Sequence, residues 1–236
     1  MSQIPFCLSN EELTALRQFD TCKLANAIER LHLRLHNEGF TQPGLRCVTG
    51  TCDPVIGFAA TSQVRCGDPP LPGSSFHDVA EWWAYIEKLP KPRVVIIEDT
   101  DPHPAQGAVL SDVHAEILRA LGCVGVVTNG AVRDVPALAA MNFPAYASQV
   151  TISHAYVHLV EYGVPVQIYG LLIIPGDLLY ADVHGVLSLP AAHLPDILRL
   201  AREGVQREAR VIDLCRSSEF SFERLYAELH NLEINR

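Results

Sequence analysis

Three charged residues have types and a spacing that could perform chemistry on a small acid. Asp112 is followed by twenty residues and then by the adjacent pair Arg133 and Asp134. An arginine presents a planar fork of N–H donors that suits a carboxylate. An aspartate can hold a Mg²⁺ or Mn²⁺ ion that otherwise keeps its waters, and another can relay a proton through such a water. Arg133, Asp134 and Asp112 are the candidates for these roles, in that order.

The elements that must position these residues form one αβ unit. Ser111 can cap a helix that has Asp112 in its first turn, and apolar residues then recur at helical spacing. Gly122 ends this helix, and the valine-rich run 123–127 is typical of a buried strand. Open α/β sheets bind their ligands at the carboxyl ends of strands. We therefore expect the Arg133–Asp134 pair to stand in a ligand-binding loop.

The same motif resembles the active-site signature of the RraA-like family, also called the 4-hydroxy-4-methyl-2-oxoglutarate aldolase family. Its members carry an acidic residue, twenty residues and then Arg-Asp. Blocks NGAVRD at 129–134, PGDLLYAD at 175–182 and HGV at 184–186 extend the likeness, which runs from about Thr21 to Glu208. The resemblance implies an α/β fold of the swivelling β/β/α type. It also implies a single domain over 1–236, with a core at about 21–190 and a helical tail at 191–236.

The resemblance further implies a divalent-metal-dependent pyruvate aldolase of class II type that cleaves a 4-hydroxy-2-oxo acid. Arg133 and the backbone N–H groups of Val113 and His114 would bind the substrate, because a helix N-terminus attracts anions. Asp134 would hold Mg²⁺ or Mn²⁺, and Asp112 would act as the proton relay. The only lysines are Lys23, Lys88 and Lys91, and none lies in the motif, which favours the metal route over a Schiff base. Decarboxylation of oxaloacetate uses the same enolate and is expected as a second activity.

Assembly is a further implication of the resemblance. Members of the family form trimers or dimers of trimers with the active site between neighbours, so we expect a homotrimer or hexamer. The resemblance places Glu208 at the acidic, catalytic position that reaches a neighbour's metal site. Taken alone, Glu208 lies on the charged side of an amphipathic helix, which is typical of a solvated surface.

The motif also departs from the family pattern. Ser111 stands where a glycine is common, and Ala108-Val109-Leu110 lacks the aromatic residue often found there. The backbone approach to the substrate, and the substrate itself, are therefore expected to differ. The alternative function is that of a non-catalytic, protein-binding regulator that inhibits an RNA-degrading endonuclease. The complete acidic–Arg–Asp set favours the enzyme, because a pure binding protein has no need of it.

Composition excludes several other classes. The 236 residues are 48% hydrophobic, enough for one large domain with a sizeable core. The formal net charge of −9 argues against a nucleic-acid surface. No apolar run approaches the roughly twenty residues that cross a bilayer, and the N-terminus lacks the pattern of a signal peptide. Seven cysteines without a CxxC pair indicate reduced thiols in a cytoplasmic protein and argue against a cysteine zinc site.

Other polar residues leave alternatives open. Asp99 and Asp101 directly follow a predicted strand at 93–97 and suit either a metal site or a solvated, helix-capping loop. His154 and His158 stand four apart, so on a helix they would share one face and could both ligate a metal. No acidic third ligand stands beside them, and chance placement is the better explanation. Asp177 and Asp182 flank turns, where they are expected to bond local backbone N–H groups.

The remaining pattern predicts the scaffold. We expect a helix from Thr21 to about Leu35, a strand pair around Asp53-Pro54 that includes the apolar run 55–64, and a loop at 67–75. A helix at 77–89 carries an aromatic cluster, Trp82, Trp83 and Tyr85, whose spacing favours packing against a sheet or a subunit contact. Two strand-like runs within 164–174 and the segment that follows them, with turns at Pro175-Gly176 and His184-Gly185, together predict a compact β meander. Helices from Pro190 onward and at 221–232 form the tail.

Overall fold

The computed structural model describes residues 7–50, 53–71 and 77–234, so the predicted loop at 67–75 lies partly outside the described residues. The helices of this part are α1 (Asn10–Leu16), α2 (Thr21–Glu29), α3 (Val79–Lys88), α4 (Asp112–Ala120), α5 (Val135–Ala140), α6 (Leu194–Arg216) and α7 (Phe222–Ile234). Its strands are β1 (Arg46–Cys47), β2 (Val55–Arg65), β3 (Arg93–Asp99), β4 (Ala108–Leu110), β5 (Cys123–Thr128), β6 (Ala131–Val132), β7 (Ala145–Ala147), β8 (Gln149–Val150), β9 (His158–Tyr162), β10 (Val166–Ile168), β11 (Leu171–Ile173), β12 (Leu178–Asp182) and β13 (Gly185–Leu189).

One eight-stranded mixed sheet forms the framework. Its strands run in the order β1-β7-β5-β3-β2-β12-β13, and β9 pairs with β2 off this path. The neighbours from β2 through β3 and β5 to β7 are parallel, whereas the pairs made by β12, β13, β9 and β1 are antiparallel. Strands β4, β6 and β8 make a separate parallel sheet, and β10 pairs with β11. The expected swivelling α/β fold with a helical C-terminal tail is confirmed.

Strand β2 joins the layers of the molecule. Side chains alternate between the two faces of a strand. On one face of β2, Ile56 and Phe58 pack among α1, α2 and α6. Farther along the same face, Ala60 and Val64 pack beneath α3, α4 and α5. The opposite face meets the cluster that contains β10 and β11. The run 55–64 is a strand, as expected, but the prediction that the strands on either side of Asp53-Pro54 pair with each other is wrong. β1 pairs with β7, whereas β2, a strand of 11 residues, pairs with β3 along one edge and with β12 and then β9 along the other.

Helix α2 is shorter than its apolar pattern predicted. The prediction continued it to about Leu35, but the helix ends at Glu29 and the chain reverses with His32 at a positive φ of 50°. Residues of the first turns, such as Leu24 and Ile28, are buried, whereas Leu33 and Leu35 are exposed. The apolar pattern of the sequence therefore continues beyond the residues that pack against the rest of the protein.

The C-terminal tail is helical, as expected, and its first part belongs to the core. Leu194, Ile197 and Leu198 are buried in the same cluster as β12 and β13. Helix α6 packs along α2, and α7 folds back against α6. Among the described residues, no helix combines the length and the apolar character that crossing a membrane requires.

Candidate active site

The small parallel sheet brings the charged motif together. Leu110 of β4 pairs with Val132 of β6, and Val132 pairs with Val150 of β8. Because the strands are parallel, their carboxyl ends meet at one edge, where ligands commonly bind. The chain leaves β4 at Ser111 and Asp112, β6 at Arg133 and Asp134, and β8 at Thr151 and Ile152. Residues far apart along the sequence thus become neighbours.

The Asp134 carboxylate is hydrogen-bonded to the other two residues of the motif. Its Oδ2 accepts a hydrogen bond from Arg133 Nε at 3.2 Å and another from the Asp112 backbone N–H at 3.5 Å. Arg133 Nη1 also lies 3.5 Å from the carbonyl oxygen of Ile152. The Arg133 and Asp134 side chains are 34% and 35% exposed. An ion pair of this exposure contributes at most about 1 kcal/mol, and both groups remain within reach of a ligand.

Asp134 has an unusual backbone for an aspartate at a helix start. It is the N-cap residue of α5, with φ 54° and ψ 32°, yet its side chain makes no capping hydrogen bond. A left-handed conformation in a residue other than glycine is uncommon and clusters at functional sites. Oδ1 of Asp134 has no recorded hydrogen-bond partner in the described part of the chain. A half-exposed carboxylate with one oxygen open fits a Mg²⁺ or Mn²⁺ ion that keeps most of its waters.

The start of α4 differs from the predicted cap. Ser111 occupies the N-cap position, but its hydroxyl makes no capping bond. Oδ1 of Asp112 instead accepts a hydrogen bond from the N–H of Val113 at 2.7 Å. The His114 N–H has no recorded partner within the described residues. Of the two predicted backbone donors, His114 is therefore open to an anion, whereas Val113 is already used by Asp112.

The His114 side chain points away from the motif, into a cavity between α3 and α4. The indole N–H of Trp83 donates to its Nε2 at 3.4 Å, and the ring of Trp82 meets it edge to face at 5.5 Å. Burial, with a smaller contribution from the nearby His154, lowers the pKa of His114 to about 4, although a backbone hydrogen bond at Val109 acts in the opposite direction. The imidazole is therefore neutral near pH 7 and forms part of the wall of this cavity.

His154 and His158 do not share a helix, so that premise of the prediction is wrong. Ala155 between them has a positive φ of 49°, and His158 already begins β9. Nδ1 of His154 lies 2.7 Å from the Ala108 carbonyl oxygen, and Nδ1 of His158 lies 2.7 Å from that of Tyr156. A carbonyl oxygen only accepts, so each Nδ1 carries a proton. Both rings nevertheless line the same cavity as His114.

The Asp99 and Asp101 carboxylates, with the Cys66 thiol, form a buried cluster whose possible ligand atoms lie within 4.8 Å of one another. Oδ2 of Asp101 accepts from the backbone N–H groups of Cys66 and Gly67, at 2.6 Å each, and Oδ1 accepts from Arg65 Nε at 3.0 Å. These bonds to backbone and Arg65 lower the pKa of Asp101 despite the opposing effect of burial.

The Asp99 carboxylate is also engaged in hydrogen bonds from backbone N–H groups. Its two oxygens accept from the N–H groups of Asp101, at 3.1 Å, and Ala105, at 2.8 Å. Burial raises the pKa of Asp99 and raises that of the Cys66 thiol to about 12. A metal would have to displace several short hydrogen bonds and deprotonate a buried thiol. The geometry therefore favours loop bracing over metal binding for both carboxylates.

Asp177 and Asp182 do bond local backbone, as expected. Asp177 accepts from the N–H of Ile174 at 2.8 Å, and Asp182 accepts from that of His184 at 2.9 Å. Asp182 also accepts from the backbone N–H of Thr21 at 2.7 Å and from its hydroxyl. It therefore anchors the start of α2 to the end of β12, a long-range role that its local sequence does not signal.

Glu208 stands apart from the motif within the chain. It forms an ion pair with Lys23 across α2 and α6, beside a groove of about 910 Å³ between α2, α6 and α7. Helices α2 and α6 belong to one cluster of the core, and α4 and α5 pack on another. The described residues show no contact between Glu208 and Asp112, Arg133 or Asp134. A role for Glu208 at the motif would thus require a second copy, and it stays a prediction.

Comparison with known proteins places this geometry in context. The family described as RraA-like, Aldolase/RraA, matches residues 21–188. A protein of Halalkalibacterium halodurans with the provisional name 4-hydroxy-4-methyl-2-oxoglutarate aldolase is 30% identical over 167 residues, which cover 68% of this chain and 74% of that one. Protein DlpA of Legionella pneumophila is 30% identical over 128 residues, or 53% of this chain, and the match spans only 20% of DlpA.

A solved structure shows the same fold. RraAS2 of Streptomyces coelicolor, described as an unusual member of the RNase ES inhibitor RraA protein family, superposes with a TM-score of 0.68 at 22% identity. The superposition covers 86% of this chain and 96% of RraAS2. The matched residues, 21–188, include the whole Asp112–Arg133–Asp134 motif and the sheet that assembles it. The chain belongs to the RraA-like (Aldolase/RraA) family.

Proposed function

We propose that the protein is a divalent-metal-dependent lyase that cleaves a 4-hydroxy-2-oxo acid into pyruvate and a second carbonyl compound. The observation that carries the proposal is the convergence of Asp112, Arg133 and Asp134 at the carboxyl edge of β4-β6-β8. In this cleavage the C4 hydroxyl gives up its proton and the C3–C4 bond breaks. Its electron pair passes to C3, and the resulting enolate takes a proton there to become pyruvate.

Arg133 binds the carboxylate of the substrate. Its guanidinium is held in place by Asp134 on one side and by the Ile152 carbonyl on the other, and it is one-third exposed. The fork can therefore turn remaining N–H donors toward a planar carboxylate. The N–H of His114, at the positive end of α4, adds a further donor to the same anion.

Asp134 would hold the Mg²⁺ or Mn²⁺ ion. Such an ion would supply Lewis-acid stabilisation of the negative charge that develops on the keto oxygen. Asp112 lies beside it, with its backbone N–H on Asp134 and its own carboxylate at the mouth of α4. It removes or returns the proton, directly or through a water, as a positioned carboxylate can.

Decarboxylation of oxaloacetate is the expected second activity of the same site. The bond between C3 and the departing carboxylate breaks, CO₂ leaves, and the electron pair again passes to C3. The enolate and its protonation are then those of the aldol cleavage. The same binding of the 2-oxo acid head by Arg133 serves both reactions.

The functional unit is proposed to be a homotrimer or hexamer of single-domain chains. Glu208 of one copy would reach the motif of the next and act there as a further catalytic acid. This arrangement would explain how an acidic residue distant from the motif within one chain, and paired there with Lys23, contributes to the site. Closed rings of this kind follow from heterologous interfaces whose rotation closes.

The test is a coupled assay for pyruvate release from several 4-hydroxy-2-oxo acids and from oxaloacetate, with Mg²⁺, with Mn²⁺ and with excess chelator. We expect turnover that the chelator abolishes and that added metal restores, with Asp134→Ala inactive and the exposed-surface variant Glu116→Ala fully active. Borohydride should trap no substrate on the protein. Turnover in excess chelator would exclude the metal route. A folded, metal-supplied protein that acts on none of the substrates would favour the protein-binding regulator instead.

A further inference from the structure

A cavity of about 280 Å³ lies between α3, α4 and the start of β9. Its wall is mainly apolar and aromatic, and includes Val79, Trp82, Trp83, Ile117, Val157 and Leu159. Three histidines complete it, namely His114, His154 and His158. Small-molecule sites are concave and mainly apolar, with a few polar groups. The volume suits one ring or a branched chain rather than a large ligand.

The cavity adjoins the candidate active site at the start of α4. Ser111 and Val113 both line it, and they flank Asp112 on either side. His154, which also lines the cavity, follows two residues after Ile152, whose carbonyl oxygen accepts from Arg133. Val113 is 67% exposed, so it stands at the rim. A group that extends from a substrate held by Arg133 could pass Val113 into the cavity.

The charges of the residues that line the cavity determine which chemical groups can bind in it. No aspartate, glutamate, lysine or arginine is among the described residues that line it. His114 is neutral near pH 7 because burial lowers its pKa to about 4. A carboxylate or phosphate would thus lose its water and gain no fixed positive charge, which is costly. An aromatic or branched aliphatic group would lose only apolar surface and would contact the two indole rings.

We propose that this cavity receives the C4 substituent of the substrate, and that this substituent is uncharged, apolar and about the size of one ring. The inference rests on the proposed function and specifies its substrate class. Cleavage of the C3–C4 bond then releases pyruvate from the Arg133 side and an apolar aldehyde or ketone from the cavity. The hydroxyl proton leaves as the new carbonyl forms at C4, and one proton returns at C3, so the step needs no further reactant.

Intrinsic fluorescence tests the cavity directly, because the two tryptophans of the chain, Trp82 and Trp83, both line it. The probe is 4-phenyl-2-oxobutanoate, which lacks the hydroxyl and cannot be cleaved, and the charged comparison is 2-oxoglutarate, both with Mg²⁺. Burial of a phenyl ring should change the emission and lower the Kd about tenfold or more relative to 2-oxoglutarate. Equal affinities, or no change in emission with the phenyl compound, would overturn the proposal.

Substitutions in the cavity wall test whether the phenyl group binds there. Ile117→Phe fills the cavity from α4 and should weaken binding of the phenyl compound about tenfold while leaving pyruvate binding unchanged. Val79→Phe, at a rim position that is 39% exposed, should act in the same direction without disturbing the fold. The matched control is Ala120→Phe, on an exposed position of α4 outside the cavity. A loss in Ala120→Phe equal to that in Ile117→Phe would contradict the assignment.

Turnover separates this inference from the proposed function. We expect 4-hydroxy-2-oxo-4-phenylbutanoate to be cleaved with a kcat/KM about tenfold or more above that of a substrate with a carboxylate on C4. Ile117→Phe should remove that preference. If both substrates are cleaved equally by the wild type and the variant, the cavity is not the specificity pocket, although the lyase stands. If the phenyl analogue binds as expected but nothing is cleaved, the cavity assignment holds and the lyase fails.

Discussion

The backbone N–H of Asp112 points at Oδ2 of Asp134 across 3.5 Å, although 22 positions separate the two residues. The start of α4 and the start of α5 thus face each other over one carboxylate. A positive helix end and an aspartate with an open oxygen together suit an anionic substrate and the cation that neutralises it. Five predictions follow from the geometry around this contact and from the loops and helices beyond it.

Asp112→Asn should slow turnover without weakening substrate binding. An asparagine Oδ1 can still accept from the Val113 N–H, so the helix start is kept, but the amide cannot take up a proton. General acid–base catalysis contributes roughly 10²- to 10⁴-fold, and we expect a loss in kcat of that order with a similar KM. Steady-state kinetics and a thermal melt measure both effects. A large fall in melting temperature would instead make Asp112 a structural cap.

Arg133→Lys should lower kcat/KM by about tenfold to a hundredfold, because a charged hydrogen bond is worth roughly 1.5–3 kcal/mol. Lysine keeps the charge and loses the two-pronged contact with a carboxylate. Arg119→Lys is the matched control, since Arg119 is exposed on α4 and pairs only with Glu116 among the described residues. Unchanged kinetics in Arg133→Lys would remove this residue from the site.

Glu208→Ala should lose activity while the oligomer stays assembled. Mixing it with inactive Asp134→Ala subunits should then restore part of the activity, because some sites would combine an intact Glu208 from one chain with an intact Asp134 from another. Lys23→Ala serves as the control, since it removes the ion-pair partner and leaves the carboxylate. No recovery in mixed oligomers, verified by light scattering, would contradict the shared site. So would a fully active monomer.

Asp101→Asn should lower the free energy of unfolding by about 2 kcal/mol, since it removes the charge from several hydrogen bonds to a buried carboxylate. The Asp101 side chain is 1% exposed and bonds the N–H groups of Cys66 and Gly67. Urea unfolding measures the change, with Asp68→Asn, on an exposed neighbour, as the control. In the Asp134→Ala background, which lacks the proposed metal site, chelator should leave the transition where it is. A chelator-sensitive transition that Asp101→Asn abolishes would assign a metal to the Cys66–Asp99–Asp101 cluster.

The pH dependence of stability should report His114. Its pKa is lowered in the folded protein from the ordinary value of 6.5 to about 4, chiefly by burial. The unfolded chain therefore binds the proton more tightly, and stability is lost as the pH falls from 6.5 toward 4. The loss should be roughly 1–3 kcal/mol, given that one pKa unit corresponds to about 1.4 kcal/mol.

His114→Leu should lack this contribution, so the comparison of wild type and variant isolates it from the carboxyl groups that titrate over the same range. Urea unfolding at pH 7, 5.5 and 4.5 is the measurement. The unfolding free energy of the wild type minus that of the variant should decrease as the pH falls, because only the wild type loses the contribution of His114. A constant difference at all three values would show that the imidazole has an ordinary pKa in the folded state.

Local signals were enough to predict the central αβ unit. The apolar stripe of α4, the glycine that follows it and the valine-rich β5 are encoded within a few residues of one another, and the structure confirms them. The order and spacing of the motif also sufficed to indicate the family. Such patterns are readable because helix caps, glycine and side-chain periodicity act over one or two turns.

Contacts between distant segments were decided only by the tertiary structure. Helical spacing suggested a shared face for His154 and His158, but the backbone turns at Ala155 and β9 pairs with β2, so both rings instead line a cavity beside His114. Asp101 braces a loop because the N–H groups of Cys66 and Gly67, in a distant segment, reach it, and Asp99 accepts from N–H groups within its own loop. Sequence spacing specifies which residues share one element. The pairing of β4, β6 and β8 specifies which elements share one edge, and that edge is what joins Asp112 to Asp134.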